Sequence, residues 1–362
     1  MKKINADIIA DSKNEHGQRI TTFVLTYPRF IHAELLTHRL FSRNAASSRA
    51  IPASRMIKDI EEDPFIPVAF QADHKGMQGT EYIKETVGVR QAWKESAHEA
   101  IKRAKYMSEV TGCTKQLVNR ILEPYQWYTC IVTATEYDNF FELRCPQYEY
   151  AEGDNFKSIK DAAQHYSDEA DKCMNMGLEE MAQELREMSI LEKLKINNGA
   201  GEIHISLLAE AMWDARNESE PKKLKAGEWH IPFGDKFDNS RLIDISHLEP
   251  TGFKTHELEG LKVKIATARC ARVSYLNFEG KDDYEADIDL YGRLLVRPYT
   301  DLKGNYYGKD DPKHMSPSEH CARAMSGEEM MDYAHLVGPT KREECGWSGN
   351  FRGFVQLRKE IE

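Results

Sequence analysis

The chain has 362 residues and no apolar run approaching the ~20 that a bilayer-spanning helix needs. Its opening, MKKINADIIADSKNE, carries no apolar stretch of the signal-peptide kind. The seven cysteines (Cys113, Cys130, Cys145, Cys173, Cys270, Cys321 and Cys345) are odd in number, scattered and never spaced C-x-x-C. That excludes a disulfide framework and a zinc ribbon, and the expected setting is reduced and cytoplasmic. Positive charge is short as well. The 49 Lys and Arg stand against 59 Asp and Glu, a formal net charge of −10. Such a balance argues against a general nucleic-acid or anionic-membrane binder, while leaving room for a local cationic pocket. G-x-x-x-x-G-K-[ST], G-x-S-x-G and H-E-x-x-H are all absent. The run NGAG at 198–201 lacks the third glycine of a dinucleotide loop and follows a charged segment, so a helix stop and restart is expected there. No period of 20–50 residues repeats.

What is present is a patterned chain long enough for two or three modules, or one elaborated domain. Residues 20–27 (ITTFVLTY) read as a strand ended by Pro28. Residues 31–41 have helical spacing through Ile31, Leu35, Leu36 and Leu40, and 42–52 is a polar loop. A long amphipathic helix is expected from about 81 to 110, and another from about 119. Residues 127–135 (WYTCIVTAT) fit a strand or a buried helix, and 139–144 continue that element. From 151 to 225 the chain turns rich in Glu, Lys, Met and Ala and reads as two or three helices with a solvated charged face, closed by a boundary loop at 218–228. Residues 261–275 alternate between strand and helix readings, and 301–317 form a loop.

Chemistry concentrates in THRLFSRNAASSR, 37–49. His38 and Arg39 stand at a helix end. A polar turn then offers the Asn44 amide, the Ser47 and Ser48 hydroxyls, backbone N–H groups and the guanidiniums of Arg43 and Arg49. Hydroxyls and N–H groups donate directionally and Arg grips two oxygens at once, which suits a phosphate. The plainer alternative is that the serines cap a helix and the arginines are surface groups. Three more segments stand out: NRILEP at 119–124 with NFFELR at 139–144, ARCARVSY at 268–275, and HMSPSEH at 314–320. His314 and His320 with Glu319 could hint at a metal, but that histidine spacing fits no common zinc pattern, so no metal is expected.

The first run resembles the R-H-R-x7-S signature of the flavin-dependent thymidylate synthases, with Thr37 in place of the first Arg. The other segments resemble that family's later helix with its N-F-x-x-L-R stretch, its A-A-R-V-[CS]-Y motif and its H-x-[ST]-P-x-E-H motif. The likeness covers pieces of about 1–150 and 260–362 and looks most like the long forms carried by bacteriophages. It implies an α/β (α+β) fold: a mixed or antiparallel sheet packed with long helices. An N-terminal part, 1–150, and a C-terminal part, 226–362, would flank a helical insertion, 151–225. It implies that His38, Arg39, Asn139, Ser274, His314, Ser316 and Glu319 contact FAD. Asn44, Ser47, Ser48, Arg49 and Arg120 would hold the phosphate and sugar of dUMP, and Arg144 would face the pyrimidine. The implied reaction is reductive methylation of dUMP to dTMP, with NADPH reducing the flavin and methylenetetrahydrofolate supplying the carbon. A fixed cation such as Arg144 stabilises charge developing on a pyrimidine carbonyl, worth about 3–4 kcal/mol.

The chain departs from the family in three places. The A-A-R-V-[CS]-Y and H-x-[ST]-P-x-E-H motifs follow the R-H-R motif instead of preceding it, as in a circular permutation or a fusion of two half-degenerate copies. Glu34 and Thr37 replace a nucleotide-binding Gln and Arg, and Gln356 with Arg358 or Lys359 is expected to restore them from the other copy. After Arg144 the family's His, Ala-Gln and Glu-Ile give way to CPQYEY, where Cys145 invites a nucleophile reading and Tyr148 a stacking one. Family sites lie between subunits, so a homotetramer, or a homodimer with pseudo-symmetry, is expected. The alternatives are methylation or hydroxymethylation of another pyrimidine nucleotide such as dCMP, an inactive nucleotide- or flavin-binding homologue, and a metal-dependent nucleotide hydrolase.

Overall fold

The computed structural model describes residues 2–75, 81–149, 155–187, 195–197, 201–245, 258–275, 282–335 and 346–362. The glycine-bearing run at 76–79, residues 198–200 of NGAG, and Cys345 lie outside the described residues.

A five-stranded sheet forms the centre. β1 (Asn5–Asn14) and β2 (Arg19–Pro28) make an antiparallel hairpin, β3 (Ser42–Ala45) is an edge strand, and β4 (Trp127–Ala134) lies between β3 and β2. A short strand, Lys222–Leu224, runs parallel to β1 at the other edge. β2 pairs with β4 from Thr21↔Ala134 to Pro28↔Trp127, as expected where β-branched and aromatic residues dominate both. Period-2 alternation sends Phe23, Leu25 and Tyr27 to one face. There they meet residues of the helices Ala53–Glu62, Val87–Lys105, Asp138–Arg144 and Ile203–Glu218 in one core. Val24 and Ile131 point the other way, onto Cys270 and Val273 of the C-terminal part. That part packs the helix Leu258–Arg272 on the helix Tyr284–Leu295 and adds a three-stranded sheet of Trp229–His230, Ala322–Ala324 and Phe354–Gln356. The fold is α+β with a mixed sheet.

Several local expectations change. The helix expected over 31–41 is a single turn, His32–Leu35, after the 3-10 turn Arg29–Ile31. The Arg43 guanidinium folds back onto the carbonyls of Leu35, Leu36 and His38 and so takes up acceptors at the helix end. Residues 42–45, expected as loop, form β3. Their polar side chains find partners in the C-terminal part, which local sequence cannot show. Residues 127–134 resolve as a strand, and 139–144 do not continue it but form a separate helix, Asp138–Arg144, after a turn. The long helix begins at Val87 rather than near 81. Residues 258–272 are helical. Within 155–225 lie the helices Ile159–Asn175, Glu179–Glu187 and Ile203–Glu218. The last buries Leu208, Ala209 and Met212 in the main core, and the loop after it contains the edge strand Lys222–Leu224.

One polar chain crosses between the sheets. Ser12 Oγ meets His230 Nδ1 at 2.9 Å, His230 Nε2 meets Thr22 Oγ1 at 2.8 Å, Thr22 meets Thr133 at 2.7 Å, and Thr133 Oγ1 meets His320 Nδ1 at 2.8 Å. None of these side chains is more than 4% exposed. Burial pushes both imidazoles down to about 3, so they are neutral. An unfolded histidine takes up its proton near pH 6.5. Below that pH the unfolded chain binds more protons than the fold, and stability falls until about pH 3. Acidifying from pH 7 to 5 is expected to cost roughly 2 kcal/mol per histidine. Urea midpoints across that range measure it. The His230→Gln, His320→Gln double variant should lose about half of the pH slope, because His32 and His38, both lowered to about 4, supply the rest, and an unchanged slope would contradict the assignment.

Candidate active site

β3 is where the sequence motifs meet. The Ser47 N–H donates to the Ser274 carbonyl at 3.0 Å. The Asn44 amide donates to the Cys270 carbonyl at 3.4 Å, and the Ser316 hydroxyl donates to Asn44 Oδ1. Segments more than two hundred residues apart thus share one strand edge: SRNAASSR supplies it, and the ARCARVSY and HMSPSEH segments cover it. The latter forms a 3-10 turn, Ser316–His320, anchored by His320 to Thr133 of β4. That anchor turns His320 into the core, away from exposed His314, so the two do not form a metal pair. Among the described residues no group of three His, Cys, Asp or Glu could hold a metal ion.

A second group of candidates lies beyond the N-terminal end of β3. Thr37, His38, Arg39, Asn139, Arg144 and Trp347 line a cleft of about 590 Å³, with Leu40, Phe41, Phe140 and Leu143 as apolar wall and Glu136 and Asp138 also present. The helix Asp138–Arg144 sets its last-turn arginine here because Phe140 and Phe141 are buried on its inner face. Arg144 Nε donates to His38 Nε2 at 3.3 Å, and its guanidinium lies 3.8 Å from Glu34. Burial first, then Arg144 and Arg43, lowers His38 to about 4, so its ring is neutral and its Nδ1 carries the proton. Burial, then Glu202, raises the Glu34 carboxyl. Glu142, on the same helix, pairs with Lys157 at 2.6 Å rather than with Arg144. Arg39 and Asn139 have exposed side chains with no hydrogen bond or ion pair among the described residues.

The two groups are separated by β3, about 10 Å of extended chain. Ser47 and Arg49 sit past its far end with Ser48, which lines another cavity together with Asp59 and Asp63. Arg120 is exposed and pairs with Glu123 at 2.8 Å. Its neighbour Asn119, which sequence reasoning passed over, donates to the carbonyls of Ser48 and Ile51 at 2.7 and 3.0 Å and clamps the serine turn. Glu319 pairs with Arg358 at 2.6 Å, and Arg358 also with Glu362. Lys359 likewise pairs with Glu362. Gln356 is 2% exposed, and its amide donates to Ser42 Oγ and Asn350 Oδ1. Asn350 in turn donates to the Leu40 carbonyl. Gln356 therefore does reach the THRLFS loop, as a buried brace of its backbone. Gly349 at φ +63° is needed beside it, because a Cβ there would stand 2.8 Å from Gln356 Oε1. Asn119 stands at the head of the NRILEP segment with no role read for it there, and Asn350 and Trp347 carry no signal in the sequence beyond ordinary turn composition.

No family model matches the sequence, and no curated protein matches it. Solved structures that match include two of a UMP/dUMP methylase, PolB, from Streptomyces cacaoi. The one bound with 5-Br UMP is 17% identical with a TM-score of 0.31, over 42% of this chain and 80% of that one. The one bound with 5-Br dUMP is 16% identical with a TM-score of 0.27, over 42% and 66%. A likeness of this size carries no argument about what this chain does. A Gln356→Ala variant leaves Asn350 and Ser42 short of a buried partner, and should lower stability by about 1–3 kcal/mol. Thermal denaturation reads it, and an unchanged midpoint would contradict the brace.

Proposed function

We propose that the chain is a flavin-dependent thymidylate synthase-like enzyme that reductively methylates dUMP to dTMP, taking the carbon from methylenetetrahydrofolate and reducing equivalents from NADPH. The observation that carries this reading is the meeting of Asn44, Ser47, Ser274 and Ser316 along β3, four positions singled out from three distant motifs. The cleft's residues fit a flavin: a flat apolar wall of Leu40, Phe41, Leu143 and Trp347, the His38 ring N–H and Asn139 amide as donors to heterocycle atoms, and the unpartnered Arg39 guanidinium for phosphate. A bound flavin would supply the electrons for the methyl step. NADPH would enter only as the donor that reduces it.

The chain's own residues do the rest. In this reading Ser47, Arg49 and Arg120 bind the nucleotide phosphate, and Asn119 fixes the turn that carries Ser47 and Arg49. Arg144, 18% exposed and braced by Glu34 and His38, orients the pyrimidine and stabilises negative charge on its carbonyls. Because His38 is neutral, it does not add a second positive charge beside Arg144. Cys145 is 2% exposed, and burial pushes its thiol far up, so it stays protonated and does not act as a nucleophile. Ser47 and Arg144 stand at opposite ends of β3, about the length of a nucleotide apart, and in this reading the chain works as a homodimer or homotetramer. A second reading, dCMP as substrate, is favoured by Glu34: a carboxylate beside Arg144 accepts from a 4-amino group as readily as the arginine donates to the ring carbonyl.

Purified protein should carry a yellow flavin that NADPH bleaches and that reoxidises with methylenetetrahydrofolate and nucleotide. Product analysis with dUMP and dCMP in parallel separates the two readings, and no flavin uptake together with no product from either would refute both. Arg144→Ala should lower turnover about 100- to 1000-fold, whereas Cys145→Ser should keep most of the activity. The reverse pattern would point to covalent catalysis.

A further inference from the structure

The helical insertion reaches the candidate site at Arg144. The helix Ile203–Glu218 packs on the helix Asp138–Arg144 through an edge contact of Trp213 with Phe141, ring centroids 5.2 Å apart. The same packing brings its first turn to the arginine. Gly201, the last residue of the NGAG run, lies against the Arg144 stem. A Cβ there would stand 2.8 Å from Ser206 Oγ and 3.7 Å from Arg144 Cδ, so the turn closes this tightly only with glycine. Glu202 caps the helix: its carboxylate accepts the His204 backbone N–H at 2.8 Å and the His204 ring Nδ1–H. The His204 ring is buried, its Nε2 accepts the Val68 N–H at 3.1 Å, and Phe30 and Phe65 meet it edge-on. The Glu202 carboxylate is therefore fixed in place, within electrostatic reach of Glu34 and of the Tyr82 phenol.

Arg144 thus has two sides. One lines the cleft with His38, Asn139 and Trp347. Glu34, 3.8 Å from the guanidinium, and Gly201 stand on the other, and neither lines the cleft. The groups facing Glu34 are Arg144 from one helix and Glu202 and His204 from the insertion. Burial and then Glu202 raise its carboxyl, and Arg144 and His204 oppose them. On its own loop, His38 is neutral and Arg43 is held by backbone carbonyls. We propose that residues 201–204 form the back wall of the Arg144 site, and that Glu202 is a positioning residue acting on Arg144 through Glu34. Two carboxylates share one guanidinium, and His204 holds the Glu202 oxygens, so Glu34 is the one that changes. Ionised, Glu34 answers the arginine's charge from behind. Once Glu34 takes a proton from solvent, that charge is left to the cleft side, where an anion or a ring carbonyl takes it. An anionic ligand therefore binds with proton uptake by Glu34, and Glu202 sets how readily that happens. The inference rests on the reading of Arg144 as the pyrimidine's partner and adds the insertion to that site.

Two measurements test it. In the free protein, carbon NMR of the glutamate-labelled chain follows the Glu34 carboxyl, assigned by its loss in Glu34→Gln. Its proton affinity should exceed that of an exposed glutamate and fall about two- to fivefold in Glu202→Gln. Glu202→Asp, which keeps the cap and the charge, should restore it. Both variants retain a capping oxygen, and circular dichroism checks their folds. An unchanged titration in Glu202→Gln, or an equal fall in Glu202→Asp, would overturn the role of Glu202 whatever the chain binds. In the complex, calorimetry of dUMP binding at mildly acidic pH, in buffers of different ionisation heat, counts the protons taken up. Glu34→Gln gives the baseline for the phosphate's own titration. Uptake should exceed that baseline in the wild type and shrink in Glu202→Gln, and equal uptake in all three would overturn the proposal. A protein that binds no dUMP, while its Glu34 titration responds to Glu202, refutes the substrate reading and leaves the back wall standing.

Discussion

Four consecutive hydrogen bonds, from Ser12 through His230, Thr22 and Thr133 to His320, hold the N-terminal sheet against the C-terminal part. Each joins groups that would otherwise be buried and unsatisfied, so a half-formed chain is worse than none and the halves are fixed in one register. Everything at the candidate site follows from that register. His320 ends the turn that carries Ser316, so anchoring His320 on β4 brings Ser316 to Asn44 on β3. The apolar contact of Val24 and Ile131 with Cys270 and Val273 lies on the same sheet face and brings Ser274 to Ser47.

The two ends of β3 then do different things. Past its C-terminal end, polar groups gather around backbone: serines, an asparagine clamp, and two arginines turned to solvent. Before its N-terminal end an arginine stands between a neutral histidine and a carboxylate over an apolar wall. Gln356 and Asn350, from the last residues of the chain, stiffen the loop between, and their amides are spent on that task. The permuted order of motifs has a physical counterpart here. What must be adjacent is a strand edge and the turn covering it, and a chain can supply those in either order.

Much of this was legible and some was not. β2 declares itself through Ile20, Phe23, Val24 and Leu25, whereas the run through Ile131 and Val132 leaves strand and buried helix open, because a short apolar run buried on both faces has no period to separate them. β3 does not declare itself, because Ser42 and Asn44 look like loop until Gln356 and Ser316 are known to meet them. The helix at His32–Leu35 is shorter than its leucine spacing predicts, because Leu36 and Leu40 stay exposed, 43% and 42%. The motif residues were found by resemblance; Asn44, Ser47, Ser274 and Ser316 meet at β3, while His38, Arg39, Asn139 and Arg144 lie beyond its N-terminal end. The separation of Ser48 from Ser47 could not be read from spacing, because it depends on which way each side chain leaves a turn. Asn119 and Asn350 act through backbone carbonyls, and their sequence context gives no sign of that role.

The central claim is that two distant parts of the chain build one nucleotide site along β3. A double-mutant cycle of Asn44→Ala and Ser316→Ala, read as dUMP affinity by calorimetry, tests it most directly. The account predicts that each single change weakens binding and that the pair weakens it by less than the sum, a coupling of about 0.5–3 kcal/mol. Strictly additive losses, or a wild-type protein that does not bind dUMP, would contradict it.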